Sequence, residues 1–176
     1  MIPAYAVIIR GPLGSGKTTI STRLANILGA THIPIDRIID RPDIEEWDDV
    51  RGCYSERCFL RANEVAAEEA KSTLAEGKPV IVDGNFYWPS QVEDLPRRLV
   101  FRTYVFTLKV PLAMCIERDR LRDDTHGEEA TRDVFALSTS FSTGIEVDGT
   151  GSVEETVNAI LGYLPTTSES TSHPAS

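Results

Sequence analysis

Short, nearly continuous apolar runs alternate along the chain with longer stretches whose apolar residues recur at helical spacing. Residues 4–10, Ala-Tyr-Ala-Val-Ile-Ile-Arg, have the pattern of a strand covered on both faces in a parallel sheet. Residues 17–28 predict a helix ending near Gly29, and residues 32–35 a short second strand. Residues 55–76 predict a long helix stopped by Gly77 and Pro79, residues 80–82 a strand running into Asp83-Gly84, residues 89–99 a helix and residues 101–108 a clear strand. Pro111 opens a further helix, to about Arg122, because proline fits the first turn. Residues 126–138 read as a helix or mobile segment, residues 145–147 as a last strand and residues 152–164 as a last helix, with Ser152 and Glu155 at capping-box spacing. Strands alternating with helices predict a three-layer α/β fold, a five-stranded parallel sheet flanked by helices, with ligands beyond the carboxyl ends of the strands.

Composition narrows this only slightly. The 176 residues suit one domain, 41% of them hydrophobic and 26% charged, which excludes wholesale disorder. A net charge of −9 argues against broad, non-specific DNA binding. Cys53, Cys58 and Cys115 make neither a disulfide framework nor a metal cluster, so reduced thiols are expected. The start lacks the basic stretch and cleavage region of a signal peptide, and no apolar run is long enough for a bilayer; the expected place is the cytoplasm. Residues 165–176, rich in Ser and Thr, are expected to be a disordered tail after a domain spanning 1–164.

One segment carries chemistry outright. Gly11-Pro12-Leu13-Gly14-Ser15-Gly16-Lys17-Thr18 matches every fixed position of the phosphate-binding P-loop pattern, between a predicted strand and a predicted helix. Gly11, Gly14 and Gly16 let the backbone curl around an anion, and the backbone N–H groups of the loop, Ser15 included, face the phosphates with the positive end of the helix. Lys17 reaches the β- and γ-phosphates, Thr18 offers its hydroxyl to Mg²⁺ and Thr19 contacts the α-phosphate side. The apolar strand before Asp83 places a carboxylate where P-loop proteins hold Mg²⁺, usually through water. The motif implies a P-loop NTPase fold with a nucleoside triphosphate and Mg²⁺ as ligands. No Asn is followed by Lys, so the guanine-reading motif of GTPases is absent; so is the Leu-Ser-Gly-Gly-Gln signature of transporters, and the chain leaves no room for the extra helical domain of AAA-type ATPases.

The remaining motifs, over nearly the whole chain, resemble those of the nucleoside and nucleotide kinase-like P-loop phosphotransferases. That group includes adenylate kinase, shikimate and gluconate kinases, chloramphenicol phosphotransferase, zeta toxin and polynucleotide kinase. Ile33-Pro34-Ile35-Asp36-Arg37 follows the second strand, and the resemblance makes Asp36 the general base or acceptor-orienting group, against the plain alternative of a turn or cap residue. Asp83-Gly84-Asn85-Phe86-Tyr87 is similar to the Asp-Gly-Phe-Pro-Arg stretch of adenylate kinases without its Pro-Arg, so a nucleoside monophosphate loses its arginine, and Asn85 and Tyr87 offer neutral hydrogen-bonding groups instead. Residues 115–122 resemble the start of the kinase lid, at about 118–130, in which Arg118 stacks on the adenine and Arg122 closes on the phosphates. The turn Asp148-Gly149-Thr150-Gly151 resembles those that wrap the adenine edge, which makes Thr150 a nucleotide contact.

Residues 36–75 would then bind the acceptor. Arg37 lies in this segment, as do Arg57 and Arg61, one helical turn apart, which either hold an anionic acceptor or pair with acids such as Glu64 and Glu68. The acids Asp43, Glu45, Glu46, Asp48 and Asp49 disfavour a polynucleotide path, and Trp47 among them is either a packing anchor or a ligand contact. The expected activity is transfer of the γ-phosphate of ATP to a hydroxyl of a small molecule. The competing readings are a nucleotide or polynucleotide 5′-hydroxyl kinase, and an ATPase or nucleotide-dependent switch with a protein partner.

Overall fold

The computed structural model describes residues 4–165, so the expected tail, apart from Pro165 itself, lies outside the described residues. The first strand, β1 (Tyr5–Arg10), has all six residues buried, as its unbroken apolar run requires. It leads through the P-loop into α1 (Lys17–Leu28), then β2 (Thr31–Pro34) and a five-residue helix, α2 (Ile35–Ile39). A small antiparallel hairpin follows, β3 (Trp47–Asp48) with β4 (Cys53–Tyr54). The rest runs α3 (Glu56–Ala75), β5 (Val80–Gly84), α4 (Pro89–Leu99), β6 (Arg102–Lys109), α5 (Leu112–Arg120), α6 (Glu128–Thr139), β7 (Ile145–Asp148) and α7 (Val153–Leu161).

The main sheet is parallel throughout, in the order β2-β5-β1-β6-β7. From β1 the chain crosses to the edge at β2, returns to set β5 between β2 and β1, and then passes to β6 and β7 on the other side. The connections after β1 and after its neighbour β6 therefore leave the carboxyl ends of the strands in opposite directions, the arrangement that opens a crevice at that end of the sheet. Alternation along β1 divides the core in two. Ala6 and Ile8 face one cluster with the apolar stripe of α3, while Tyr5, Val7 and Ile9 face another with Ile20 and Leu24 of α1 and Val157 and Ile160 of α7.

Local chemistry fixes the helix ends. Ser55 caps α3 by accepting a hydrogen bond from the Cys58 N–H, and the stripe Ala62, Ala66 and Ala70 on that helix is fully buried. Ser152 and Glu155 form the reciprocal capping box of α7. The expected second strand ends one residue early, because Ile35 already begins α2. The segment expected to be helical or mobile forms the regular helix α6. Among the described residues no helix is long and apolar enough to cross a membrane, and the three cysteines are buried free thiols.

Candidate active site

Gly14 and Gly16 adopt φ of 73° and 89°, the left-handed region that glycine enters at no steric cost. A Cβ on Gly14 would stand 2.1 Å from the Cys115 carbonyl oxygen, so only glycine lets the loop seat against α5. Gly16 is the N-cap of α1; no side chain caps that end and no acid sits in its first turn. The orphan N–H groups of the helix start, with the positive end of its dipole, are therefore left for an anion. They open on a cavity of about 420 Å³ lined by Gly14, Ser15, Gly16, Lys17, Thr18 and Thr19 on one side and by Arg118 and Arg122 on the other. Gly11 does not line this cavity. It lies where the loop packs on itself, and a Cβ there would meet Ser15 Oγ at 2.7 Å.

Lys17 is 6% exposed. Its ammonium stands 3.5 Å from the Pro12 carbonyl oxygen and 3.9 Å from Asp36 Oδ2. Thr18 Oγ1 donates to Asp83 Oδ2 at 2.8 Å. Register places Asp83 beside Ile9 of β1 and Pro34 of β2, at the carboxyl end of the sheet. A hydroxyl that gives its proton to a carboxylate keeps its lone pairs free for a cation. The donors are hard oxygens. Among the described residues no cluster of three or more His, Cys, Asp or Glu could hold a metal ion. Mg²⁺, which prefers few protein ligands and retains water, fits this pair. The other oxygen of Asp83, Oδ1, is engaged by His32 Nε2, a partner that no sequence motif signals.

Asp36 is the second residue of α2 and faces the P-loop lysine across the crevice. Its Oδ1 accepts a hydrogen bond from the Asn85 N–H at 3.3 Å. A Cβ on Gly84 would collide with Ile35 at 2.2 Å, so glycine is what allows β5 to end against α2 and bring Asn85 to Asp36. Burial in the crevice pushes the Asp36 carboxyl above the ordinary carboxylate range; Lys17 pulls it back and Asp83 pushes it up further. The 38% of the side chain open to solvent tempers that rise.

The other acceptor-side residues divide. Arg37 is exposed beside Asp36. Arg57 is not brought to the crevice: its guanidinium pairs on the surface with Glu46 at 2.6 Å, and Arg61 donates to the Asp43 carbonyl. Arg57 is thus ion-paired, with an acid other than Glu64 or Glu68, while Arg61 is held by a backbone carbonyl. Tyr87 offers no open hydrogen-bonding group. It is 6% exposed and packs edge-on against Phe59 with ring centroids 4.6 Å apart, and burial pushes its phenol well above the ordinary range. Trp47 is no core anchor, since it is 55% exposed and touches Tyr54 edge-on.

On the opposite wall, Arg118 Nη1 donates to the Ser15 carbonyl at 3.3 Å and Nη2 to the Gly149 carbonyl at 3.0 Å, tying α5, the P-loop and the β7–α7 turn together. Thr150 turns away to bond Asp148 through its N–H and hydroxyl, leaving Gly149 and Gly151 to line the cavity. The segment expected to be a mobile lid is folded back on Asp119, whose side chain is 2% exposed. Asp119 accepts from the Thr125 hydroxyl at 2.7 Å, from the N–H groups of His126 and Gly127 at 3.1 Å, and contacts His126 Nδ1 at 3.1 Å. Burial alone would raise the Asp119 carboxyl, but these bonds outweigh it and hold it at about 2, against an ordinary 3.8. A carboxylate with a depressed folded pKa adds stability that is present above its unfolded pKa and lost as pH falls through the folded one. At 1.36 kcal/mol per pH unit the contribution is about 2 kcal/mol. Asp119→Asn is therefore expected to be about 2 kcal/mol less stable at pH 7, with a smaller fall in unfolding free energy between about pH 4 and pH 2 than the parent, as read by urea titration across that window.

The sequence pattern of the AAA domain family matches residues 7–142, the stretch from the middle of β1 through α6. The chain belongs to that family. Beyond the match, the described part of this AAA domain protein adds the start of β1 and, after α6, β7, α7 and their flanking turns. No curated protein gave a match. Among solved structures, a gluconokinase from Sinorhizobium meliloti 1021 superposes with a TM-score of 0.70 over 92% of this chain and 91% of its own, at 16% identity. An unliganded sugar kinase from Janibacter sp. HTCC2649 gives 0.72 over 92% and 94%, at 17% identity. At such identities the likeness is one of fold: the three-layer architecture is that of P-loop kinase-like proteins.

Proposed function

We propose that this chain transfers the γ-phosphate of ATP, with Mg²⁺, to a hydroxyl of a small molecule. The observation that carries the reading is the 3.9 Å approach of the P-loop lysine to Asp36, which puts a phosphate-binding cation and a carboxylate of raised pKa in one crevice. The uncapped start of α1 binds the phosphates, with Lys17 on the β- and γ-phosphates and Arg118 and Arg122 facing them from the other wall. Thr18 and Asp83 hold Mg²⁺, which when bound neutralises phosphate charge. Asp36 takes the proton of the acceptor hydroxyl. The freed oxygen attacks the γ-phosphorus, the bond to the β,γ-bridging oxygen breaks, and ADP departs. Asn85, and Arg37, exposed and next to Asp36 in the chain, would meet the rest of the acceptor. The sugar-kinase folds of the two solved structures favour a polyhydroxyl acceptor.

The test is ADP release from Mg-ATP with and without nucleosides, nucleoside monophosphates, sugars, sugar acids, polyols, aminoglycosides and 5′-hydroxyl RNA. Stimulation by one class, with phosphate recovered on that compound, supports the reading; stimulation by RNA alone would move it to a polynucleotide kinase. Slow release indifferent to every acceptor would favour an ATPase or switch. Asp36→Asn should lower kcat by about 10²-fold, the lower range for a positioned base, with ATP affinity unchanged. Because Asp36 must be ionised to accept the proton, the parent should lose kcat/KM as pH falls through its raised pKa. That acidic limb should lie above the ordinary carboxylate value of about 4 and be absent from the asparagine variant. Unchanged turnover in the variant would remove Asp36 from the mechanism.

A further inference from the structure

The Asp83 carboxylate is almost wholly out of solvent, with 2% of its side chain exposed. Ionised, it is an acceptor only, so each oxygen must find a donor. Oδ2 takes the Thr18 hydroxyl and Oδ1 takes His32 Nε2. His32 comes from β2, the edge strand, and lies opposite Ile81 of β5, so its ring reaches along the sheet to the carboxylate two residues further on. The imidazole is itself largely covered, at 18% exposure.

We propose that His32 is a positioning residue for the cation site: its N–H fixes the rotation of the Asp83 carboxylate so that Oδ2 faces Thr18. The inference rests on the reading of Thr18 and Asp83 as the Mg²⁺ pair. The last torsion of an aspartate is broad, and packing alone does not select one orientation of its two oxygens. Thr18 constrains one oxygen but sits on the first turn of α1, which also meets the phosphates. His32 approaches from a different element, so the two donors together leave the carboxylate one orientation. Partners of this kind, which touch a ligand and not the metal, typically govern metal affinity by 10- to 100-fold.

The experiment uses the full chain with ADP. Mn²⁺ binding is followed by electron paramagnetic resonance, and metal-free ADP binding by calorimetry. His32→Leu is expected to weaken Mn²⁺ about 10- to 100-fold while leaving metal-free ADP binding as in the parent. His32→Gln, whose amide can donate to the same oxygen, should recover most of the loss; His32→Ala replaces the leucine variant if that one does not fold. Parental Mn²⁺ affinity in His32→Leu or His32→Ala, with the affinity lost in Asp83→Ala, overturns the positioning role and leaves the Asp83 reading standing. Parental affinity in Asp83→Ala as well sinks that reading and the inference with it. A folded glutamine variant as weak as the leucine one also overturns the proposal, because the hydrogen bond would then not be what matters.

Discussion

Lys17→Met is expected to lower kcat/KM for phosphoryl transfer by about 10³-fold, with little change in the thermal midpoint of unfolding. Methionine fills nearly the volume of the lysine stem, so the packing beneath the P-loop survives while the charge goes. A unit charge about 3 Å from a phosphate oxygen, at an effective dielectric constant of about 20, is worth roughly 5 kcal/mol. A thousandfold loss corresponds to about 4 kcal/mol of barrier, so one lost cation is enough to account for it. Arg118 cannot stand in, because it already spends its guanidinium on the Ser15 and Gly149 carbonyls. A second consequence separates this role from a merely structural one. Lys17, ahead of the Asn85 N–H, lowers the Asp36 pKa, so the residual activity of Lys17→Met should show its acidic limb at higher pH than the parent. Near-normal turnover, or an unmoved limb, would remove the P-loop lysine from the site.

How much of this could be read from the sequence depends on how local the determinant is. The P-loop is eight consecutive residues, and Asp83 ends an apolar strand, so both announce themselves. The order of alternating strands and helices gives the layers, because burial on both faces leaves unbroken apolar runs such as 6–9 in β1. The small elements α2 and the β3–β4 hairpin have too few residues to display a period. Partners across the fold are the larger gap. The His32 contact joins residues 51 apart in the chain. Arg57 was legible as a cation but not as the partner of Glu46, which sits on the far side of the hairpin. Residues 118–127 read as a charged helix and lid because nothing local reveals that the Asp119 carboxylate points inward and gathers the turn about itself. Tyr87 and Asn85, two apart on one short stretch, separate only once α3 is seen to cover the tyrosine.

Arg10 joins the end of β1 to Phe86, to Thr107 and to residues 138–141, and Arg10→Met is expected to cost about 3 kcal/mol of unfolding free energy. The guanidinium is fully buried, and among the described residues no acid pairs with it. It donates to the Ser138 carbonyl at 2.5 Å, the Phe86 carbonyl at 3.2 Å, Thr107 Oγ1 at 3.2 Å and the Phe141 carbonyl at 3.5 Å, with its charge 4.2 Å over the Phe141 ring. Burial lowers its pKa from 12.5 to about 10, so the charge is held at a cost of about 3 kcal/mol, which the methionine would relieve. Against that relief stand the carbonyls of Ser138 and Phe86, left buried without a donor at about 1–3 kcal/mol each, and the lost contact over the Phe141 ring, worth about 2 kcal/mol when desolvated. The losses outweigh the gain by a few kcal/mol. The effect should also reach the crevice. Phe86 is held at φ 46°, a left-handed conformation costly for a bulky residue, and the Arg10 bond to its carbonyl helps to maintain it. Asn85, one residue earlier, is the backbone donor to Asp36. A drop in the urea midpoint together with a lower kcat and unchanged ATP affinity would show that Arg10 both closes the sheet end and sets the acceptor side of the site. An unchanged midpoint would mean that the carbonyls find other donors and that the guanidinium is dispensable to the fold.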